Sequence, residues 1–139
     1  MNKIYISNSA EDTFLLGEKL GRNLSCGSIV ALYGGLGTGK TVFAKGIAAG
    51  LEIKDEVVSP TYTLLKEYKG KHTLYHFDLY RIDEPQELFH IGLYDYLGKD
   101  GVCIIEWADN AEKIPPCISV KIDGTGQDKR KITIEGFVD

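Results

Sequence analysis

The segment Gly34-Gly35-Leu36-Gly37-Thr38-Gly39-Lys40-Thr41 sets four glycines directly ahead of a lysine and a hydroxyl. It satisfies G-x-x-x-x-G-K-[ST] at every fixed position, the spacing of a loop that wraps a polyphosphate. A phosphate chain needs backbone N–H groups turned inward around it, and glycine permits both the backbone angles and the close approach. The cradle here runs from Gly35 through Leu36, Gly37, Thr38 and Gly39, then passes into a helix start at Lys40, Thr41 and Val42. Free amides and the positive dipole end of that helix favour an anion. The Lys40 ammonium can reach the terminal phosphates, and the Thr41 hydroxyl suits Mg2+ as a hard oxygen ligand. A glycine turn with an accidental Lys-Thr would need strand, loop and helix to coincide by chance.

A phosphate loop also needs an acid for the metal and a group to orient the attacking nucleophile. Two carboxylates close β-like runs: Asp78 after LYHF and Glu106 after VCII. Such strand ends lie where doubly wound folds bind their ligands. Either acid alone reads equally as a solvated strand end, and the phosphate loop favours the functional reading. Thr61, in VVSPTYTLL, is either a switch hydroxyl sensing the last phosphate or ordinary Ser-Pro-Thr turn chemistry. His76 shares a strand face with Asp78 and is either half of a metal pair or a packed strand histidine. Trp107, the sole tryptophan, reads first as packing, and Arg81 has both phosphate and the acids of RIDE as partners. DYLG at 95–98 fits a GTPase pattern, but it follows a helical stretch and no N-K-x-D accompanies it.

The elements that must carry these groups are legible in outline. SIVALYG is a continuous apolar run of strand length, as in a strand buried on both faces. After Lys40, apolar Phe43, Ile47 and Leu51 recur at helical spacing. KIYIS reads as a strand, and the next segment as a helix with Ser9 and Asp12 spaced for a capping box and Leu16, Leu20 and Leu24 on one stripe. A hairpin is expected to turn at 69–71, with Leu74, His76 and Asp78 on one face of its second arm and Tyr75 and Phe77 on the other. DEPQELFHIGLYDYL supplies a helix start with Pro85 in its first turn. GVCIIEW is a second buried strand, and CISVKIDGTGQDKRKITIEGF a closing hairpin. These patterns predict an α/β protein: a single P-loop NTPase domain over 1–139, with a mixed parallel and antiparallel sheet and flanking helices.

Composition limits the partners. The chain has 139 residues, 43% of them apolar, and a net charge of −4. A protein that grips nucleic acid itself needs a basic face, and the one compact basic cluster is Lys129-Arg130-Lys131. The three cysteines lack metal-ligand spacing, and no apolar run approaches the length of a membrane span. The N-terminus has no signal-peptide core, so a reducing cytoplasm is the expected location.

LYGGLGTGKT, SPTYTL, YHFDLYR and IIEWAD, in that order and spacing, resemble the TsaE (YjeE) family, small bacterial P-loop ATPases of tRNA threonylcarbamoyladenosine synthesis. The resemblance spans nearly the whole chain, and the four blocks together are far more specific than the phosphate loop alone. It implies ATP and Mg2+, with Lys40 on the phosphates and Thr41 and Glu106 at the metal. It further implies that Asp78 is needed for turnover, that Trp107 lies near the active site, and that Arg130 contacts the nucleotide. Gly35 stands at a loop position often acidic in the family. The implied partners are the TsaB and TsaD proteins, with tRNA met only through them. Two other readings remain for such a sequence, a small-molecule kinase and a nucleotide-dependent binding module with negligible turnover.

Overall fold

Ile29–Tyr33 forms strand β2, and its first four residues are buried because the chain has parallel neighbours on both sides of it. In the computed structural model, which describes residues 3–35, 37–60, 63–111, 114–115 and 117–136, seven strands make one sheet. They are β1 (Lys3–Ser7), β2, β3 (Leu65–Tyr68), β4 (Leu74–Asp78), β5 (Val102–Glu106), β6 (Ile118–Gly124) and β7 (Arg130–Glu135), in the order β1-β7-β6-β2-β5-β4-β3. The middle four, β6-β2-β5-β4, run parallel, and antiparallel pairings add β7 and β1 at one edge and β3 at the other. This is the mixed sheet expected from the sequence.

Successive strand residues point to opposite faces, and the core sorts accordingly. Val30, Leu32 and Ile104 pack with Phe43, Ile47 and Leu51 under helices α1 (Ala10–Arg22) and α2 (Lys40–Gly50). Ile29, Ala31 and Ile105 pack on the other face with Leu88 and Leu93 of the short helices α3 (Gln86–His90) and α4 (Leu93–Tyr96). In β4, Leu74 belongs to the first cluster and Phe77 to the second, with Tyr75 packed against it, so its two faces divide as the alternation requires. Cys103 is a core residue, and burial pushes its thiol up to about 12.

Local chemistry sets the element ends. The Ser9 hydroxyl accepts from the Asp12 amide at 3.1 Å, while the Asp12 carboxylate accepts from the Asn8 amide at 3.0 Å. The capping pair therefore forms, with its return bond reaching one residue further back than the ideal box. The segment after Pro85 does not continue as one helix: Gly92, at φ 76°, separates α3 from α4. Pro85 itself caps α3, and the Glu87 carboxylate accepts from the Asp83 amide at 2.9 Å. The first hairpin turn is wider than 69–71, since Tyr68 pairs with Leu74.

The helix that begins at Lys40 is fixed in place by a glycine contact with α1. A Cβ at Gly17, Gly21, Gly46 or Gly50 would run into a backbone carbonyl oxygen of the facing helix, those of Phe43, Ile47, Phe14 and Glu18 respectively. Both pairs are spaced i, i+4, so each lies on one helix face. Gly46→Ala should lower stability by about 1–3 kcal/mol through overpacking, despite the ~1 kcal/mol that alanine gains over glycine in a helix. The obstructing atom is backbone and cannot rotate aside. The check is the urea midpoint of unfolding, which should fall; an unchanged or higher midpoint would contradict this packing.

Candidate functional site

Strands β2, β4 and β5 end side by side. Their register pairs Leu32 with Glu106 and Asp78 with Glu106, so the loop after β2 and the two strand-end carboxylates emerge at one edge. The loop needs its glycines: Gly34, Gly37 and Gly39 sit at φ 150°, 73° and 105°, and a Cβ on Gly34 would lie 2.6 Å from the Ile122 carbonyl oxygen. Helix α2 begins immediately afterwards, with its first amides directed toward the loop. A cleft of about 440 Å³ opens here, floored by residues 37–42 and walled by Ser59, Asp78, Tyr80, Glu106 and Trp107. That volume is within the usual range for small-molecule sites.

Lys40 is folded back over its own loop. Its Nζ donates to the carbonyl oxygens of Gly34 at 2.6 Å and Gly35 at 2.7 Å, and lies 4.0 Å from the centre of the Trp107 ring. Burial lowers its pKa, against the pull of the Glu106, Asp109 and Asp78 carboxylates. Trp107 occupies the left-handed region at φ 57°, a conformation that costs a residue with a side chain about 1–3 kcal/mol. Its ring also rests on Tyr80, with centroids 4.9 Å apart. The backbone strain at Trp107 thus accompanies an aromatic wall placed against the lysine.

The two carboxylates are buried and differently held. Glu106 accepts from the Thr41 hydroxyl through Oε1 at 3.2 Å, and its Oε2 lies 2.6 Å from His76 Nε2. Asp78 accepts from the Tyr80 amide through Oδ1 at 2.9 Å and from the Ser59 hydroxyl through Oδ2 at 3.1 Å. Arg130, at the start of β7, donates to the Thr38 carbonyl through Nε at 2.9 Å and to the Gly37 carbonyl through Nη2 at 3.2 Å. It therefore braces the glycine loop from the side.

The residues singled out in the sequence mostly converge. Gly37, Thr38, Gly39, Lys40, Thr41, Val42, Asp78, Glu106 and Trp107 line the cleft, Gly35 sits in the same loop, and Arg130 touches it. Leu36 and Thr61 lie outside the described residues. Arg81 lines a different groove with Leu64, Glu87 and His90. Asp95 of DYLG falls within α4, as the helical context of that stretch suggested. Ser59 and Tyr80 were not anticipated. The signal for Ser59 was the same SPT turn that pointed to Thr61, and for Tyr80 it was a position two residues past a strand-end acid.

A glycine loop leading from a central parallel strand into a helix, at the carboxyl edge of such a sheet, defines a P-loop-type α/β protein. The kinship is narrower than that class. The model of the family described as "Threonylcarbamoyl adenosine biosynthesis protein TsaE" matches residues 7–132, and the chain belongs to this family. It is similar to the tRNA threonylcarbamoyladenosine biosynthesis protein TsaE of Treponema pallidum, with 42% identity over 93% of this chain and 97% of the relative. The corresponding protein of Bacillus subtilis is 44% identical over 77% of this chain and 68% of its own length. The crystal structure of Bacillus subtilis YdiB superimposes with a TM-score of 0.83, at 34% identity, covering 96% of this chain and 84% of YdiB. Among the described residues, no helix is long and apolar enough to cross a membrane.

Proposed function

We propose that this protein binds and hydrolyses ATP with Mg2+, in support of the threonylcarbamoyl modification of the adenosine beside the tRNA anticodon. The observation that carries the reading is the meeting of the Thr41 hydroxyl and the Glu106 carboxylate, 3.2 Å apart, beneath the glycine loop. Among the described residues, no three His, Cys, Asp or Glu side chains gather into a metal cage. That fits Mg2+, which is usually held by one or two protein oxygens together with substrate phosphates.

When bound, Mg2+ would neutralise charge building on the phosphate oxygens. The chain supplies the rest. Residues 37–42 would present amides to the phosphates, and Lys40 would exchange its two loop carbonyls for phosphate oxygens. Thr41 and Glu106 would hold the cation. Asp78, tied down by Ser59 and the Tyr80 amide, directs a water toward the terminal phosphate and accepts its proton. Arg130 keeps the loop in its wrapped form.

The kinase alternative lacks the arginines that usually close over a phosphoryl group. Arg22 pairs with Glu18 on α1 at 2.9 Å, Arg81 lies in the other groove, and Arg130 is engaged by loop carbonyls. The same engagement takes Arg130 out of the basic cluster at 129–131, so contact with tRNA is assigned to the TsaB and TsaD partners. The test is to follow labelled terminal phosphate with those partners present. It should appear as inorganic phosphate; its transfer to a small acceptor would establish a kinase, and no release at all a binding module.

A further inference from the structure

We infer that His76 is a positioning residue for Glu106, holding the carboxylate so that its other oxygen faces Thr41 and the divalent cation. This rests on the Mg-ATP reading above and adds a residue to it. His76 is 0% exposed and Glu106 only 2%. The two come from neighbouring strands, where Asp78 is level with Glu106 and His76 is level with Ile104. The imidazole thus approaches the carboxylate diagonally from beneath, while Asp78 stands beside it at the rim.

The division of labour on Glu106 follows from the distances. The Thr41 contact with Oε1 is the longer at 3.2 Å, and the His76 contact with Oε2 is the shorter at 2.6 Å. With Glu106 as acceptor, the shared proton resides on Nε2. The opposite nitrogen, Nδ1, is buried and finds no hydrogen-bond partner among the described residues, and leaving such a group unsatisfied costs about 1–3 kcal/mol. A side chain present only to fill space would be better as leucine, without that cost. The bond to Glu106 is what the imidazole adds. Nor is His76 placed to ligate the cation itself: Nε2 is taken by Glu106, and Nδ1 is buried away from the cleft lining. Partners of metal-binding carboxylates typically set metal affinity, and their loss costs about 10–100-fold.

Two variants separate positioning from packing. His76→Leu removes the donor and keeps apolar bulk, whereas His76→Gln places an amide N–H near the position of Nε2. Mn2+ binding to the complex with a non-hydrolysable ATP analogue would be followed by electron paramagnetic resonance. Analogue affinity in EDTA would be measured in parallel by calorimetry, and folding by thermal unfolding. His76→Leu should weaken Mn2+ binding about 10–100-fold while leaving the EDTA affinity unchanged, and His76→Gln should restore most of the loss. Should the leucine variant fail to fold, His76→Asn, too short to reach Glu106, takes its place. Parental Mn2+ affinity in the donor-less variant, an equal loss in EDTA, or a glutamine variant no better than leucine would overturn the role of His76. A parent protein that binds the analogue no more tightly with the cation than without it would overturn this inference and the Mg-ATP reading together.

Discussion

Lys40→Ala is expected to weaken Mg-ATP binding by roughly tenfold to a hundredfold. A charge-assisted bond to phosphate is worth about 1.5–3 kcal/mol, and each 1.4 kcal/mol is a factor of ten in affinity. The same variant should unfold no more readily than the parent, because of what the lysine does in the free protein. Its ammonium is buried at the foot of the cleft, and that burial lowers its pKa. The sign is decisive: a folded-state value below that of the unfolded chain means the folded state holds the proton less tightly. The buried cation therefore opposes folding wherever it is charged, and this penalty fades as pH rises through the lowered folded-state value toward lysine's ordinary one. Removing the side chain relieves that burden while giving up two bonds to loop carbonyls and the contact with Trp107. Calorimetric titration with Mg-ATP, paired with a urea unfolding curve, checks both halves. Undiminished binding would remove the phosphate role of Lys40, and a large fall in the midpoint would make it a structural residue instead.

Lysine, threonine and glycines were legible as a phosphate loop because their chemistry is local: strand, turn and helix start all lie between residues 29 and 50. Asp78 and Glu106 could be proposed because each ends an apolar run, and strand ends gather at one edge whenever the strands are parallel. What sequence spacing does not give is the partner of a side chain. His76 meets a carboxylate 30 positions away, and Arg130 reaches carbonyls more than 90 positions before it. Both contacts depend on strand order: the first on β4 lying beside β5, the second on β6 pairing with β2 and carrying β7 on its far side. The glycine pairs on α1 and α2 show the same limit. Their i, i+4 spacing is plain in the sequence, yet it acquires meaning only when the two helices face each other. Gly92 is a different case, since a glycine in a helical run is a weak breaker until its backbone turns left-handed.

The strain at Trp107 bears on how the cleft is organised. Residue 107 directly follows Glu106, and its left-handed turn brings the indole over Lys40. A ring at that position shields the ammonium from water on one side and supplies a π face in place of lost hydration. The ammonium is also held by the carbonyls of Gly34 and Gly35, which tie the side chain to its own loop. On the Mg-ATP reading proposed above, phosphate oxygens would take the place of these two carbonyls at the ammonium. Arg130 ties the same loop through the carbonyls of Gly37 and Thr38.

Asp78→Asn is expected to separate binding from turnover. Among the described residues, the native carboxylate accepts from the Tyr80 amide on Oδ1 and from the Ser59 hydroxyl on Oδ2. Asparagine can keep both: its carbonyl oxygen accepts from the Tyr80 amide, and its NH2 group donates to the Ser59 hydroxyl, which accepts as readily as it donates. Shape and local structure are therefore retained. Charge is not. Losing a negative group from the rim removes a repulsion on the incoming phosphates, so Mg-ATP should bind as tightly as before or slightly more so. The amide cannot take a proton from an attacking water, and a positioned base contributes about 10²–10⁴-fold to such a step. The hydrolysis rate with partners present should fall by at least ~10²-fold on that scale, with the unfolding midpoint unchanged. Single-turnover release of labelled phosphate at saturating ATP measures the chemical step apart from binding. A variant that released phosphate at the parental rate would show that Asp78 only shapes the cleft, whereas a loss confined to ATP affinity would place it on the bound nucleotide rather than on the water.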